Sequence, residues 1–167
     1  MSKNLFWKRL SFLTAFLCVV TLVAAQEFTA GNIKYKILDT VSKTVRIIDG
    51  KSTSGNLVIP QTVVSDSKTY TVKEIGNYSF NENNNITSVD IPASVDSIGT
   101  YAFNKCEAVI EYDLKEGLKI IGTGAFGDAK KVSSFKIPAS VIHIGDAAFI
   151  YTESLIRFVV APANTEY

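Results

Sequence analysis

Residues 91–106 read Ile-Pro-Ala-Ser-Val-Asp-Ser-Ile-Gly-Thr-Tyr-Ala-Phe-Asn-Lys-Cys, and the same order of residue classes recurs every 23 positions. An Ile-Gly pair stands at 75–76, 98–99, 121–122 and 144–145, and a phenylalanine follows each glycine by four positions. A constant period of this length is typical of solenoids, in which each repeat buries its apolar face against the next. The sequence therefore predicts a stack of repeats.

Each repeat contains a short segment in which apolar and polar residues alternate. Val89 and Ile91 flank a polar residue, Pro92 follows them, and the later repeats keep the same apolar positions. Alternation with a period of two predicts a β-strand with one buried face, and a proline ends it because it lacks the N–H that a ladder needs. Each repeat therefore contributes one short strand to a parallel sheet.

A second element is predicted after each Ile-Gly pair. The glycine permits a turn that other residues resist, and the residue after it belongs to the class that caps helix N-termini. These residues are Asn77, Thr100, Thr123 and Asp146. We therefore expect one short helical turn per repeat, burying a small residue and the phenylalanine. The predicted fold class is an α/β solenoid that is mostly β.

The region before the repeats has a different pattern. Apolar and polar residues alternate over 33–37 and 45–47 around a polar turn at 39–43, which predicts a β-hairpin. Residues 57–60 then resemble the strand of a first repeat. Nine residues are inserted after them relative to the later repeats, and they predict a second small hairpin that turns at 65–68. Atypical units at the end of a solenoid act as caps.

The first 25 residues have the three parts of a secretory signal. Basic residues precede an apolar run over residues 10–23, and small residues end it, so we expect cleavage between Ala25 and Gln26. The run is too short for a confident membrane span. The mature chain is therefore expected to be secreted or held at the cell surface, without a transmembrane span of its own.

These patterns divide the chain into three parts. We expect a signal peptide over 1–25, an N-terminal capping hairpin over 26–54, and a solenoid of about four repeats over 55–167. The last repeat is incomplete, because Tyr167 stands where the period predicts an isoleucine. The open end of the stack is therefore a candidate surface for self-association.

Composition argues against two classes of partner. Removal of the signal takes away three of the 17 basic residues and none of the 16 acidic ones, which leaves a formal charge near −2. This balance lacks the basic patch that nucleic acid or an anionic membrane surface requires. Cys106 is the only cysteine left, so no internal disulfide is expected and stability has to come from a packed core.

The repeat motif resembles that of a known family. Ile91-Pro92, Val95, Ile98-Gly99 and Ala102-Phe103 resemble the 23-residue leucine-rich repeat of the BspA-like bacterial surface proteins, over roughly residues 55 to 160. The resemblance implies a right-handed solenoid, export, and adhesion to or recognition of host or matrix proteins. The stretch 114–117, Leu-Lys-Glu-Gly, departs from the motif, so a looser turn is expected there.

No residue pattern points to catalysis, a metal or a cofactor. His143 is the only histidine, and its counterparts in the other repeats, which are Glu74, Ser97 and Ile120, mark a variable surface position. Cys106 has small counterparts, Asn83, Ala129 and Thr152, as a packing position would. One histidine and one cysteine also fall short of a structural zinc site. We therefore predict that the protein is not an enzyme and needs no cofactor.

Two sets of exposed residues are left as candidates for binding. Tyr78 and Tyr101 occupy neighbouring repeats in a column that Gly124 and Ala147 interrupt, so their rings could stack on a ligand. The second set flanks the buried strand positions and should line one continuous surface. It comprises Ser88, Asp90, Glu111, Asp113, Ser134, Lys136, Arg157 and Val159, with an acidic first half and a basic second half.

The sequence thus predicts an exported, non-enzymatic module that binds protein or extracellular-matrix ligands through the sheet face of its solenoid. The alternative is a structural spacer, or the N-terminal part of a larger surface protein whose activity lies downstream.

Overall fold

The computed structural model describes residues 26–164. The predicted signal peptide, residues 1–25, and residues 165–167 lie outside this part. The described residues form thirteen strands. In chain order they are β1 Glu27–Ala30, β2 Ile33–Asp39, β3 Thr44–Asp49, β4 Gly55–Val58, β5 Thr62–Ser65, β6 Lys68–Ile75, β7 Ile86–Ile91, β8 Ser97–Ile98, β9 Glu111–Leu114, β10 Ile120–Ile121, β11 Ser134–Ile137, β12 His143–Ile144 and β13 Arg157–Val160.

The strands build a mostly β solenoid of about five turns. One side, here called the sheet face, carries β4, β7 and β9 in one parallel sheet and β11 and β13 in another. A second side carries the sheet β1-β2-β3-β6-β8-β10-β12, with β5 paired to β6. The third side, here called the turn side, consists of residues 77–82, 100–105, 123–128 and 146–151.

Both predicted hairpins are present. The antiparallel pair β2–β3 extends the second side of the solenoid, because β3 pairs in parallel with β6. The pair β5–β6 turns at Asp66 and Ser67, which both have a positive φ. The first hairpin thereby covers the edge that the stack would otherwise expose at this end. Its own residues Val45 and Ile47 are fully buried.

The 23-residue columns are continuous stacks in space. Ile75, Ile98, Ile121 and Ile144 are in register in neighbouring short strands. The rings of Phe80 and Phe103 stack at 4.9 Å, and those of Phe103 and Phe126 at 5.9 Å. All three rings are fully buried, and burying one phenylalanine side chain contributes about 1.5–3 kcal/mol. Each layer therefore supplies apolar surface that its neighbour needs.

The prediction of a helical turn is not confirmed, because the described residues contain no helix and form non-helical turns on this side. The backbone is left-handed at two residues of each turn. These residues are Tyr78 and Glu82, Tyr101 and Lys105, Gly124 and Asp128, and Ala147 and Tyr151. A left-handed residue interrupts the right-handed backbone that a helix requires.

The turns instead bond to one another. In the first turn, the N–H groups of Tyr78, Phe80 and Glu82 donate to the carbonyls of Thr100, Ala102 and Asn104, at 3.0, 2.9 and 2.8 Å. The next two turns repeat this pattern, each donating to the layer that follows it. The N–H groups of Ala147, Phe149 and Tyr151, in the last described turn, have no such partner within residues 26–164.

Candidate functional site

All the residues predicted for the sheet face lie on it. Ser88 is in register with Glu111, and Asp90 with Asp113, in the strands β7 and β9. Their neighbours along the strand, such as Val89, point into the core and are buried. Successive side chains of a strand point to opposite sides of the sheet, so Ser88, Asp90, Glu111 and Asp113 face solvent. In the other sheet of this face, Ser134 pairs with Arg157 and Lys136 with Val159.

The face is made of two hydrogen-bonded sheets and not of one uninterrupted ladder. The strands β9 and β11 are neighbours, but no ladder pairs them. The interruption coincides with the irregular repeat at 114–117, where Gly117 has a φ of 115°. The Glu116 carboxylate there accepts the N–H groups of Ala139 and Ser140, at 3.0 and 3.1 Å. A side chain thus bridges these two layers, and the acidic and basic halves of the face lie on different sheets.

The acidic half contains a lysine that the periodic pattern did not identify. Lys115 forms an ion pair with Asp113 and lies 3.8 Å from the carboxylate of Asp90. The hydrogen bond to Asp113 is the main reason why the pKa of Lys115 is raised. Lys115 follows the strand directly, so its position could be predicted from the sequence, but the reach of its side chain could not. Lys115 therefore offsets part of the negative charge of Asp90 and Asp113.

The first strand of the solenoid also contributes to this face. Asn56 is in register with Ser88, whose hydroxyl donates to the Asn56 side-chain oxygen at 2.8 Å. Val58 stands beside Asp90 and is 58% exposed. A shallow groove is lined by Asn56, Ser88, Val89, Asp90, Glu111 and Asp113. The alternation around Leu57 indicates that Asn56 and Val58 point outward. These two residues were not predicted for the sheet face, because the insertion after residue 60 separates this strand from the regular period.

The basic half is flanked by apolar surface. Lys136 and Arg157 are exposed, and Ile156, next to Arg157, is 89% exposed. Lys136 also contributes to lowering the pKa of Glu116, although the main cause is the hydrogen bond from the N–H of Ala139. Solvent-facing charge next to an exposed isoleucine is a surface that can pair with both polar and apolar groups of a macromolecule.

The two residues considered for chemistry lie where the sequence placed them. His143 is exposed on the short strand β12. Cys106 is fully buried, its thiol donates to the carbonyl of Phe80 at 3.1 Å, and burial raises its pKa to about 12. The neighbouring Tyr112 hydroxyl is buried without a hydrogen-bond partner among the described residues. A protonated thiol inside the core is not available to a substrate in solvent.

The described part of the chain gives no other sign of a metal centre or a membrane span. No group of three or more histidine, cysteine, aspartate or glutamate side chains in residues 26–164 is arranged to hold a metal ion. Over the same residues, no helix is long and apolar enough to cross a bilayer. The sheet face and the pair formed by Tyr78 and Tyr101 on the turn side therefore remain the candidate sites.

Solved structures of several bacterial leucine-rich repeat proteins have the same architecture. A leucine-rich repeat protein from Bacteroides capillosus is 29% identical with a TM-score of 0.73, over 81% of this chain and 98% of that one. One from Bacteroides ovatus is 25% identical with a TM-score of 0.62, over 81% of this chain and 41% of that one. A leucine-rich cell surface protein from Faecalibacterium prausnitzii shares the fold at 23% identity and a TM-score of 0.63, over 84% and 44%.

The chain thus spans nearly all of the first of these proteins and less than half of the other two. No curated protein matches it. The model of one protein family, the BspA type leucine-rich repeat region, matches residues 57–166 in 6 copies. This stretch covers more than half of the sequence. The chain therefore belongs to the family of BspA-type leucine-rich repeat proteins.

Proposed function

We propose that the protein is an exported adhesion module that binds a protein or extracellular-matrix ligand through its sheet face. Leucine-rich repeats of this kind typically serve as binding modules without enzymatic activity. Stacked repeats present extended surfaces for this purpose. The signal peptide predicted over residues 1–25 supports export, and the F. prausnitzii relative is described as a cell surface protein.

One observation supports the choice of the sheet face above the others. Its charges are segregated, with Asp90, Glu111 and Asp113 on one sheet and Lys136 and Arg157 on the next. A surface with both signs in a fixed order orients a partner that carries the complementary order. Exposed apolar side chains, Val58 at one edge and Ile156 at the other, add contact area that can be desolvated.

Reversal of the charge order tests this proposal. The double variant Asp113→Lys/Lys136→Glu keeps the net charge and exchanges the two signs. We expect it to weaken binding to immobilised matrix proteins, such as collagen IV, laminin and fibronectin, by about ten-fold or more. Binding by the natural chain should also weaken with rising salt, because exposed charges are screened. Surface plasmon resonance measures both effects.

A matched control lies outside the sheet face. Lys119 and Asp146 are both exposed, and the variant Lys119→Glu/Asp146→Lys makes the same exchange away from it. The control should bind as the natural chain does. Unchanged capture by the sheet-face variant, or equal loss in both variants, would overturn the assignment of this face.

A structural spacer is the second candidate function, and the hydrogen bonds between layers support it. Each inner turn donates three N–H groups to the next, and charged pairs such as Glu82–Lys105 and Glu107–Lys130 also join successive layers. A stack joined in this way resists bending and can hold another part of a protein at a distance. In that case no matrix protein would bind the natural chain above background.

A further inference from the structure

Two tyrosines on the turn side, the exposed Tyr78 and the half-buried Tyr101, form a stacked pair. The rings of Tyr78 and Tyr101 lie 5.4 Å apart at an angle of 27°, and Tyr78 is 50% exposed. Tyr101 in turn covers Gly124, where an added Cβ would collide with its ring. Tyr78 has no second ring partner in the described part of the chain, and half of its surface meets solvent. Neither hydroxyl makes a hydrogen bond within residues 26–164.

The fold does not require aromatic residues at these positions. Tyr78 and Tyr101 have left-handed backbones, with φ of 57° and 52°. The same column continues with Gly124 at 59° and Ala147 at 54°. A left-handed backbone is unfavourable for a residue with a Cβ and free of that cost for glycine. Two consecutive tyrosines in a place where glycine suffices point to a role other than folding.

The groups beside the tyrosines are neutral hydrogen-bonding groups. Asn81 and Asn104 each follow a tyrosine by three residues, and their N–H groups donate to its carbonyl at 3.2 and 3.3 Å. Their side chains form a second ladder, in which the Asn104 amide donates to the Asn81 oxygen at 3.1 Å. One amide N–H₂ of this ladder, that of Asn81, has no acceptor within residues 26–164. An amide offers both donors and acceptors to neighbouring hydroxyl groups.

The nearby charges are already paired. Glu82 and Lys105, the next residues along the two turns, form an ion pair at 3.2 Å. A charged ligand would therefore find no unpaired opposite charge in these two turns. Neutral sugars match the remaining chemistry, since their C–H faces pack on the negative face of an aromatic ring and their hydroxyls bond to amides.

We propose that the tyrosine–amide strip, formed by Tyr78, Tyr101, Asn81 and Asn104, binds a neutral oligosaccharide. One sugar ring packs on the exposed part of the Tyr78 ring, and hydroxyls of the same oligosaccharide bond to the tyrosine hydroxyls and the asparagine amides. This site lies on the turn side, so it is independent of the sheet face and of the ligand proposed there.

Affinity electrophoresis of residues 26–167 in native gels tests the proposal. The gels contain hydroxyethylcellulose, xylan, galactomannan or glycol chitin, which are neutral polymers of different sugars. We expect at least one of them to retard the natural chain. The variant Tyr78→Gly/Tyr101→Gly should weaken that binding by about ten-fold or more. Its fold should be kept, because glycine already serves this backbone position at Gly124, and thermal unfolding checks this.

The chain offers a matched control. Tyr151 is 67% exposed and has a φ of 55°, but it stands outside the strip. Tyr151→Gly therefore removes a tyrosine that is more exposed than Tyr78 and relieves a similar backbone, and it should leave retardation unchanged. The sheet-face variant Asp113→Lys/Lys136→Glu should also leave it unchanged, which separates this site from the proposed protein-binding face.

Three outcomes would overturn the proposal. The first is that none of the four polymers retards the natural chain. The second is that Tyr151→Gly reduces retardation as much as the double variant does, which would indicate non-specific contact by exposed rings. The third is that the folded double variant is retarded as strongly as the natural chain, which would place the polymer-binding site outside the strip.

Discussion

The inner layers of the stack and its last described layer have the same columns of residues in different environments. Phe135 and Phe158 occupy one column, on β11 and β13, yet Phe135 is fully buried and Phe158 is 48% exposed. Phe126 is likewise buried, whereas Phe149 is only partly covered. The difference shows that a layer becomes core only when the next layer covers it, because one repeat cannot bury its own apolar face.

The largest expected effect is a difference between two truncations in one column. Phe135→Ala removes a ring that contacts Tyr112, Phe126, Phe149 and Phe158, and it should lower the free energy of unfolding by about 3–5 kcal/mol. Phe158→Ala should cost no more than about 1–2 kcal/mol, since half of that side chain already meets solvent. Urea unfolding followed by circular dichroism measures both, and similar losses would contradict the comparison.

A smaller effect is expected where two layers meet backbone to backbone. A Cβ added at Gly122 would lie 2.7 Å from the backbone of Gly99, and one added at Gly145 would lie 2.5 Å from the nitrogen of Thr123. Gly122→Ala should cost about 1–3 kcal/mol, because layers on both sides hold the backbone in place. Gly145→Ala should cost less, since the last layer can shift outward. Equal costs, measured as shifts in thermal unfolding, would show that the last layer is held as tightly as the inner ones.

The smallest expected effect is the change in stability between pH 9 and 10, about 1 kcal/mol, that one buried thiol causes. Burial raises the pKa of Cys106 from its ordinary value of 9.0 to about 12, so between these values the unfolded chain releases a proton that the folded chain keeps. Stability should therefore fall as pH rises above 9.0, by up to about 1.4 kcal/mol per pH unit from this group. Cys106→Ala should remove that part of the decline, and alanine is tolerated in this column at Ala129.

The same pH dependence can be tested in the last layer. Thr152 occupies the column of Cys106 and is only half-buried. Thr152→Cys in the Cys106→Ala background should show a weaker decline between pH 9 and 11, because a thiolate there is better hydrated. A decline as steep as that of the natural chain would mean that the two layers exclude water equally. Denaturant unfolding at each pH provides the comparison.

The columns of the fold could be predicted from the sequence because spacing alone determines them. The Ile-Gly period predicted the register of Ile98 with Ile121, and the counterparts of Cys106 predicted its burial. The helical turn was predicted from residues such as Asn77 that commonly cap helices. In the structure the Asn77 side chain accepts the N–H of Thr100 in the next layer, at 2.9 Å. The repeat period does not show whether a side chain forms its hydrogen bond within its own turn or with the next layer.

The candidate site was predictable to the same extent. Alternation identified the outward residues of the sheet face, including Asp113 and Lys136, because direction along a strand follows from position. The pairing of Lys115 with Asp113 and the missing ladder between β9 and β11 depend on side-chain reach and on one irregular turn. Such features depend on how neighbouring layers meet, and they cannot be predicted from the pattern of a single repeat.

The row of N–H groups at Ala147, Phe149 and Tyr151 gives the molecule a direction. The carbonyls of each inner turn accept hydrogen bonds from the layer before it, and its N–H groups donate to the layer after it. Within residues 26–164, the last described turn therefore has N–H donors and no opposing acceptors. Two copies that met by this turn in a symmetric dimer would place donor against donor, and their amides would lose water without gaining bonds. Association along this edge requires a partner that brings carbonyl oxygens, as the next turn of a stack in the same orientation would.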